Sequence, residues 1–112
     1  MALPFSAPPQ EIRVRCDNLS KLVESACNDL LITPNWSLNM QIVDDINQET
    51  NPTVLTDVIR VLRKRLRAKS IKSVGMALTL SEALVKNCSR EVHKEIASEN
   101  FMDAMTKVVR VG

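Results

Sequence analysis

An all-α fold is predicted by three features of this sequence. Beyond a proline-marked lead-in, every apolar pattern recurs at three- and four-residue steps rather than alternating. Asn35, Asn51-Pro52 and Ser70 place helix-start signals at helix-length intervals. Three aromatic residues and two glycines in 112 residues are too few for a strand-rich sandwich, a glycine-cradled nucleotide site or a stacking platform for single-stranded nucleic acid. A chain of this length fits one domain.

Six helices are predicted. Pro4, Pro8 and Pro9 mark residues 1–17 as an irregular lead-in, and residues 18–112 form the helical domain. The first helix spans about Asn18 to Leu31, with Leu19, Leu22, Val23, Cys27 and Leu30 as its apolar stripe. Asn35 caps a second, Trp36 to about Asn47, and Asn51 a third, Pro52 to about Ala68, where proline at the first position loses no needed hydrogen bond. Ser70 caps a fourth, Ile71 to about Cys88; Ser89 a short fifth, to about Ala97; and Asn100 a sixth, to about Val109. Connections of about two to five residues make consecutive helices antiparallel neighbours in a superhelix of short helices. The last helix stops almost at Gly112, which reads as the truncation of a longer sequence.

Three cysteines at irregular spacing, with one histidine and no CxxC, point away from a disulfide framework or zinc site and toward a reducing, cytosolic setting. No stretch approaches the roughly 18 apolar residues of a membrane span. Net charge is only +2, yet the halves differ. Residues 1–57 hold three basic and eight acidic residues, a net of −5; residues 58–112 hold twelve and five, a net of +7. A pI near 8.6 is below that of a typical nucleic-acid binder, so the basic half needs a local explanation.

On a helical wheel with Trp36 at zero, Leu38, Ile42 and Ile46 fall near 200°, 240° and 280° and define the buried stripe of the second helix. Trp36 and Met40 pair at i, i+4 more than about 100° from its centre, either capping the core or forming an exposed anchor of the kind found at interface hot spots. In the third helix, Val54, Leu55, Val58, Ile59, Val61, Leu62 and Leu66 occupy one arc, and Arg60, Arg63, Lys64 and Arg67 the other. Lys69 and Lys72 extend this basic ridge, which is either a solvated face or a surface for anionic lipid headgroups. The fourth helix is apolar over most of its circumference and is the expected central helix. Gly75, Thr79, Glu82 and Lys86 form its one small or polar stripe, and Gly75 suggests a close approach by a partner or a neighbouring helix.

Catalytic and metal chemistry find no support. His93 lies beside Val92 and Ile96 and reads as structural. No serine or cysteine has a base at informative spacing. Asp44 and Asp45, adjacent on a helix, point about 100° apart and cannot share a proton. No cofactor is implied.

The segments Leu22-Val23-Glu24-Ser25-Ala26-Cys27 and Asn35-Trp36-Ser37-Leu38-Asn39-Met40-Gln41-Ile42-Val43-Asp44-Asp45-Ile46-Asn47 resemble the start of a VHS domain. The second block is the specific one. Ala77-Leu78-Thr79-Leu80, Asn87-Cys88, His93 and Ser98-Glu99-Asn100-Phe101 continue the likeness in register. The resemblance implies a right-handed superhelix of eight helices, of which this length allows about six. It also implies a place in cytoplasmic proteins, peripheral on endosomal or trans-Golgi membranes, that sort ubiquitinated or signal-bearing cargo. Several VHS domains bind ubiquitin through their second and fourth helices, and the matching positions are Trp36 and Met40, with Gly75 and Thr79 opposite. The groove that reads acidic dileucine signals needs the last two helices and is not expected here.

The expected function is therefore ubiquitin recognition by a non-enzymatic trafficking module. The alternative is phosphoinositide or anionic-membrane binding through Arg60, Arg63, Lys64, Arg67, Lys69 and Lys72. A third reading, a domain of similar shape that binds the phosphorylated tail of RNA polymerase II, is disfavoured by the Trp36 block, and no nucleic-acid partner is expected. Loss of two terminal helices would bare apolar surface on the fifth and sixth, inviting a dimer or helix exchange.

Overall fold

The computed structural model describes residues 9–88, 90–97 and 104. Among these residues the fold is all-α, with helices α1 (Gln10–Ala26), α2 (Trp36–Gln48), α3 (Pro52–Leu66), α4 (Ile71–Asn87) and α5 (Arg90–Ile96) and no strand. Ser89 and nearly all of the predicted sixth helix lie outside the described residues; Ala104 alone is described there, and it is buried.

The first helix differs most from expectation. It begins at Gln10, so residues 10–17 belong to the helical domain and not to an irregular lead-in. Pro9 starts it: the proline carbonyl accepts from the backbone N–H groups of Ile12 and Arg13 at 3.0 and 3.1 Å, and the restricted φ of proline suits a helix entrance. From there Ile12, Cys16, Leu19, Val23 and Ala26 form one continuous inward stripe. The helix also ends early, at Ala26. Asn28 then turns the chain, its Oδ1 accepting the Leu30 N–H at 2.8 Å, a local bond that competes with helix continuation. Leu30 is thereby placed in solvent rather than on the core stripe, and the connection to α2 spans residues 27–35.

The other starts follow the predicted caps. Asn35 Oδ1 accepts from Leu38 N at 3.0 Å, Asn51 Oδ1 from Thr53 N at 2.8 Å, and Ser70 Oγ from Ser73 N at 3.3 Å; each such cap is worth about 1 kcal/mol. Pro52 occupies the first turn of α3, as its missing N–H allows.

Packing joins consecutive helices (α1 with α2, α3 with α4, α4 with α5) and also alternate ones (α1 with α3, α2 with α4, α3 with α5). This i, i+2 stacking makes the array a superhelix rather than a string of hairpins. α4 packs against each of the other four described helices, as its broad apolar circumference predicts. The core is aliphatic, centred on Val23, Ile42, Val58, Leu62, Leu80 and Leu84. Val92 and Ile96 of α5 are buried in it, so no large apolar side chain is bared on the described part of that helix, contrary to expectation.

Polar bonds fix the array where helices meet. Ser20 Oγ donates to Asp57 Oδ2 at 3.3 Å between α1 and α3, Arg15 pairs with Glu49 at 3.2 Å, and Arg65 with Glu24 at 3.5 Å. No helix among the described residues is long and apolar enough to cross a membrane.

Candidate functional site

The buried residues of α2 are Asn39, Ile42, Val43 and Ile46. On the wheel used above these centre near 290°, about 50° closer to Trp36 than the stripe predicted from Leu38, Ile42 and Ile46. Leu38 is only half-buried. The shift arises because Asn39 goes inside with its Oδ1 lacking a hydrogen-bond partner among the described residues, a placement that its polarity argues against. Trp36 consequently lies at the edge of the buried arc and not far from it. It is still 56% exposed, and Met40, one turn on, is 40% exposed.

Asn47 Nδ2 donates to the carbonyl of Asn87 at 2.9 Å, so the C-terminal ends of α2 and α4 lie side by side. α2 also packs against α4 along its length beyond this bond. Counted back from that bond at about 1.5 Å per residue, Met40 and Thr79 both lie about 10–12 Å along, and Trp36 and Gly75 about 16–18 Å. Each predicted pair therefore lies at a similar distance along its own helix from the bond that joins the two ends.

Gly75 is exposed, and a Cβ built on it would meet nothing within 4 Å. The close approach of a neighbouring helix that its presence suggested does not occur; the backbone there is open. Thr79, half-buried, donates from Oγ1 to the Gly75 carbonyl at 3.1 Å. That bond keeps the hydroxyl against its own helix. Trp36 and Met40 leave exposed apolar surface on α2, and Gly75 leaves bare backbone on α4.

The basic ridge is interrupted. Arg60 is hydrogen-bonded to Asp57, Arg63 is half-buried, and Arg65 holds Glu24. Lys64, Arg67, Lys69 and Lys72 are exposed and have no carboxylate partner among the described residues. The free positive charge thus lies toward the α3–α4 connection rather than along the whole of α3.

The chemistry of the remaining groups is structural. His93 Nε2 lies 2.6 Å from the Val85 carbonyl and, as a donor, ties α5 to the end of α4. Burial pushes the Cys27 thiol up to about 11, with Arg65 opposing in part, and the Cys88 thiol also to about 11. Burial followed by the Asp57 carboxylate raises Cys16 as well. All three thiols are protonated near neutrality and are poor nucleophiles. Asp44 is exposed and Asp45 half-buried, and among the described residues no His, Cys, Asp or Glu cluster could hold a metal ion. The wheel missed Leu30, Ile32 and Ile71, all strongly exposed. The Asn28-Asp29 turn signal ahead of Leu30 was the available clue.

A helical superhelix that leaves two large apolar side chains, Trp36 and Met40, exposed one turn apart on α2 has the build of a protein-interaction module. A family model for the VHS domain matches residues 14–111, and the chain belongs to the VHS domain family. It is 40% identical over 88 residues to TOM1-like protein 6 of Arabidopsis thaliana, covering 79% of this chain and 13% of that protein. TOM1-like protein 9 of Arabidopsis thaliana is 34% identical over 92 residues, 82% of this chain and 13% of the relative. TOM1-like protein 2 of Mus musculus is 36% identical over 104 residues, 91% of this chain and 18% of the relative. The chain thus spans less than a fifth of the length of each of these relatives.

Proposed function

We propose that this chain is the ubiquitin-recognition module of a membrane-trafficking adaptor, acting without catalysis or cofactor on the cytoplasmic face of endosomal or trans-Golgi membranes. Trp36 and Met40 seat against an apolar patch of ubiquitin, and Gly75 and Thr79 form the second edge. The exposure of Trp36 together with Met40 carries this reading: an aromatic and a flexible thioether left in solvent one turn apart are interface residues in search of a partner. Membership of the VHS family and likeness to TOM1-like proteins support the adaptor setting.

Two anchor side chains and little polar complementarity make a small interface, so single-site affinity is weak and avidity comes from multiple tags or further domains. Binding to immobilised ubiquitin tests it. Trp36→Ala is expected to weaken binding by about tenfold or more, as for an interface hot spot. Equal binding by wild type and Trp36→Ala contradicts it. The second reading, lipid contact along the α3 ridge, is weakened at Arg60, which already holds the Asp57 carboxylate, and at the half-buried Arg63.

A further inference from the structure

Asp44 stands one turn beyond Met40, as Met40 stands one turn beyond Trp36, so the three side chains leave α2 at about 40° intervals and span about 12 Å of its length. Asp44 is exposed, and among the described residues no Lys or Arg pairs with it. α2 itself carries no basic residue. The adjacent Asp45 is placed differently: it is half-buried and lines a recess with Arg15 and Asn18 of α1. On α4, the Glu82 carboxylate is already held by Lys86 at 2.7 Å. Asp44 is therefore an uncommitted negative charge continuing the line of the exposed apolar pair.

Nothing in the fold compensates for Asp44. Aspartate is among the weaker helix formers. This one lies in the C-terminal half of a helix whose last turn holds no basic residue, toward the negative end of the helix dipole. A side chain that opposes its own helix and has no partner within the chain is accounted for by a contact outside it. We infer that Asp44 is a specificity-determining residue of the docking edge: its carboxylate meets a cationic side chain at the rim of the apolar patch on ubiquitin. It selects patches rimmed by Lys or Arg over patches rimmed by Asp or Glu. The inference rests on the ubiquitin reading above and adds an ionic contact to it. A rim charge of this kind acts on encounter rate and on discrimination between partners more than on total affinity, because it stays in water and is screened by salt.

Binding to immobilised ubiquitin at about 0.05 M and about 0.5 M salt, measured for wild type, Asp44→Asn, Asp44→Lys and Trp36→Ala alongside thermal unfolding of each, tests it. Asp44→Asn is expected to weaken low-salt binding about two- to fivefold and Asp44→Lys about tenfold, and both losses shrink at high salt. Both Asp44 variants are expected to unfold at or above the wild-type temperature, since each relieves the helix end. Unchanged low-salt binding by both Asp44 variants, with Trp36→Ala still impaired, overturns the inference and leaves the ubiquitin reading standing. Tighter binding by Asp44→Lys overturns it as well, because the facing rim would then be acidic. A loss that persists undiminished at high salt, or that accompanies a lowered unfolding temperature, assigns Asp44 a structural role and also overturns it. Absence of wild-type binding removes the ubiquitin reading and this inference with it.

Discussion

The Ser73 hydroxyl donates a 2.6 Å hydrogen bond to the Cys27 carbonyl across 46 positions of sequence. Both residues are buried, and the bond satisfies a carbonyl at the C-cap of α1 while locking the start of α4 against it. Ser73→Ala leaves that acceptor unmade and is expected to cost about 1–3 kcal/mol. Urea denaturation measures it, and a loss below about 0.5 kcal/mol would mean that water reaches the carbonyl.

Asn35 starts α2 one residue ahead of Trp36 through its bond to Leu38 N. Asn35→Ala is expected to destabilise the fold by about 1 kcal/mol, and Asn35→Asp, which keeps an acceptor oxygen, to restore most of it. Thermal unfolding of the pair checks this. Equal losses for both substitutions would contradict capping as the role of this side chain.

Much of this architecture was legible because helix starts are encoded locally. Asn35, Asn51 and Ser70 each carry a short side-chain acceptor ahead of an apolar period, and each caps as its chemistry dictates. The start of α1 was hidden because Pro9 caps through its backbone carbonyl and offers no side-chain signal. The end of α1 was misplaced for a different reason. Leu30 sits at a plausible period from Val23 and Cys27, but the Asn28 side chain offers the backbone a competing bond. Asn39 shows the reverse conflict, a polar residue drawn inside by the packing of Ile42, Val43 and Ile46 around it. Its burial rotated the face of α2 toward Trp36, so the exposure of Trp36 was legible but its nearness to the core was not.

The buried thiols make stability depend on alkaline pH. Cys27 is held near 11 in the folded chain against 9.0 for a free thiol, so the folded state binds a proton that the unfolded state has released between those values. Stability is therefore full below about pH 9 and falls as pH rises toward 11, by on the order of 2 kcal/mol. Urea midpoints under reducing conditions at either end of that window measure the slope. Cys27→Ala, whatever its stability at neutral pH, is expected to flatten the slope; an unchanged slope would place the titration elsewhere.

The most direct measurement of the proposed docking edge is titration of isotope-labelled chain with ubiquitin, following the Trp36 indole N–H and the Met40 methyl group by NMR. Both resonances, and the Gly75 amide, are expected to shift in a saturable, dose-dependent way, while core methyls such as Leu62 and Leu84 stay fixed. Static Trp36 and Met40 signals up to millimolar ubiquitin would contradict the assignment of this edge.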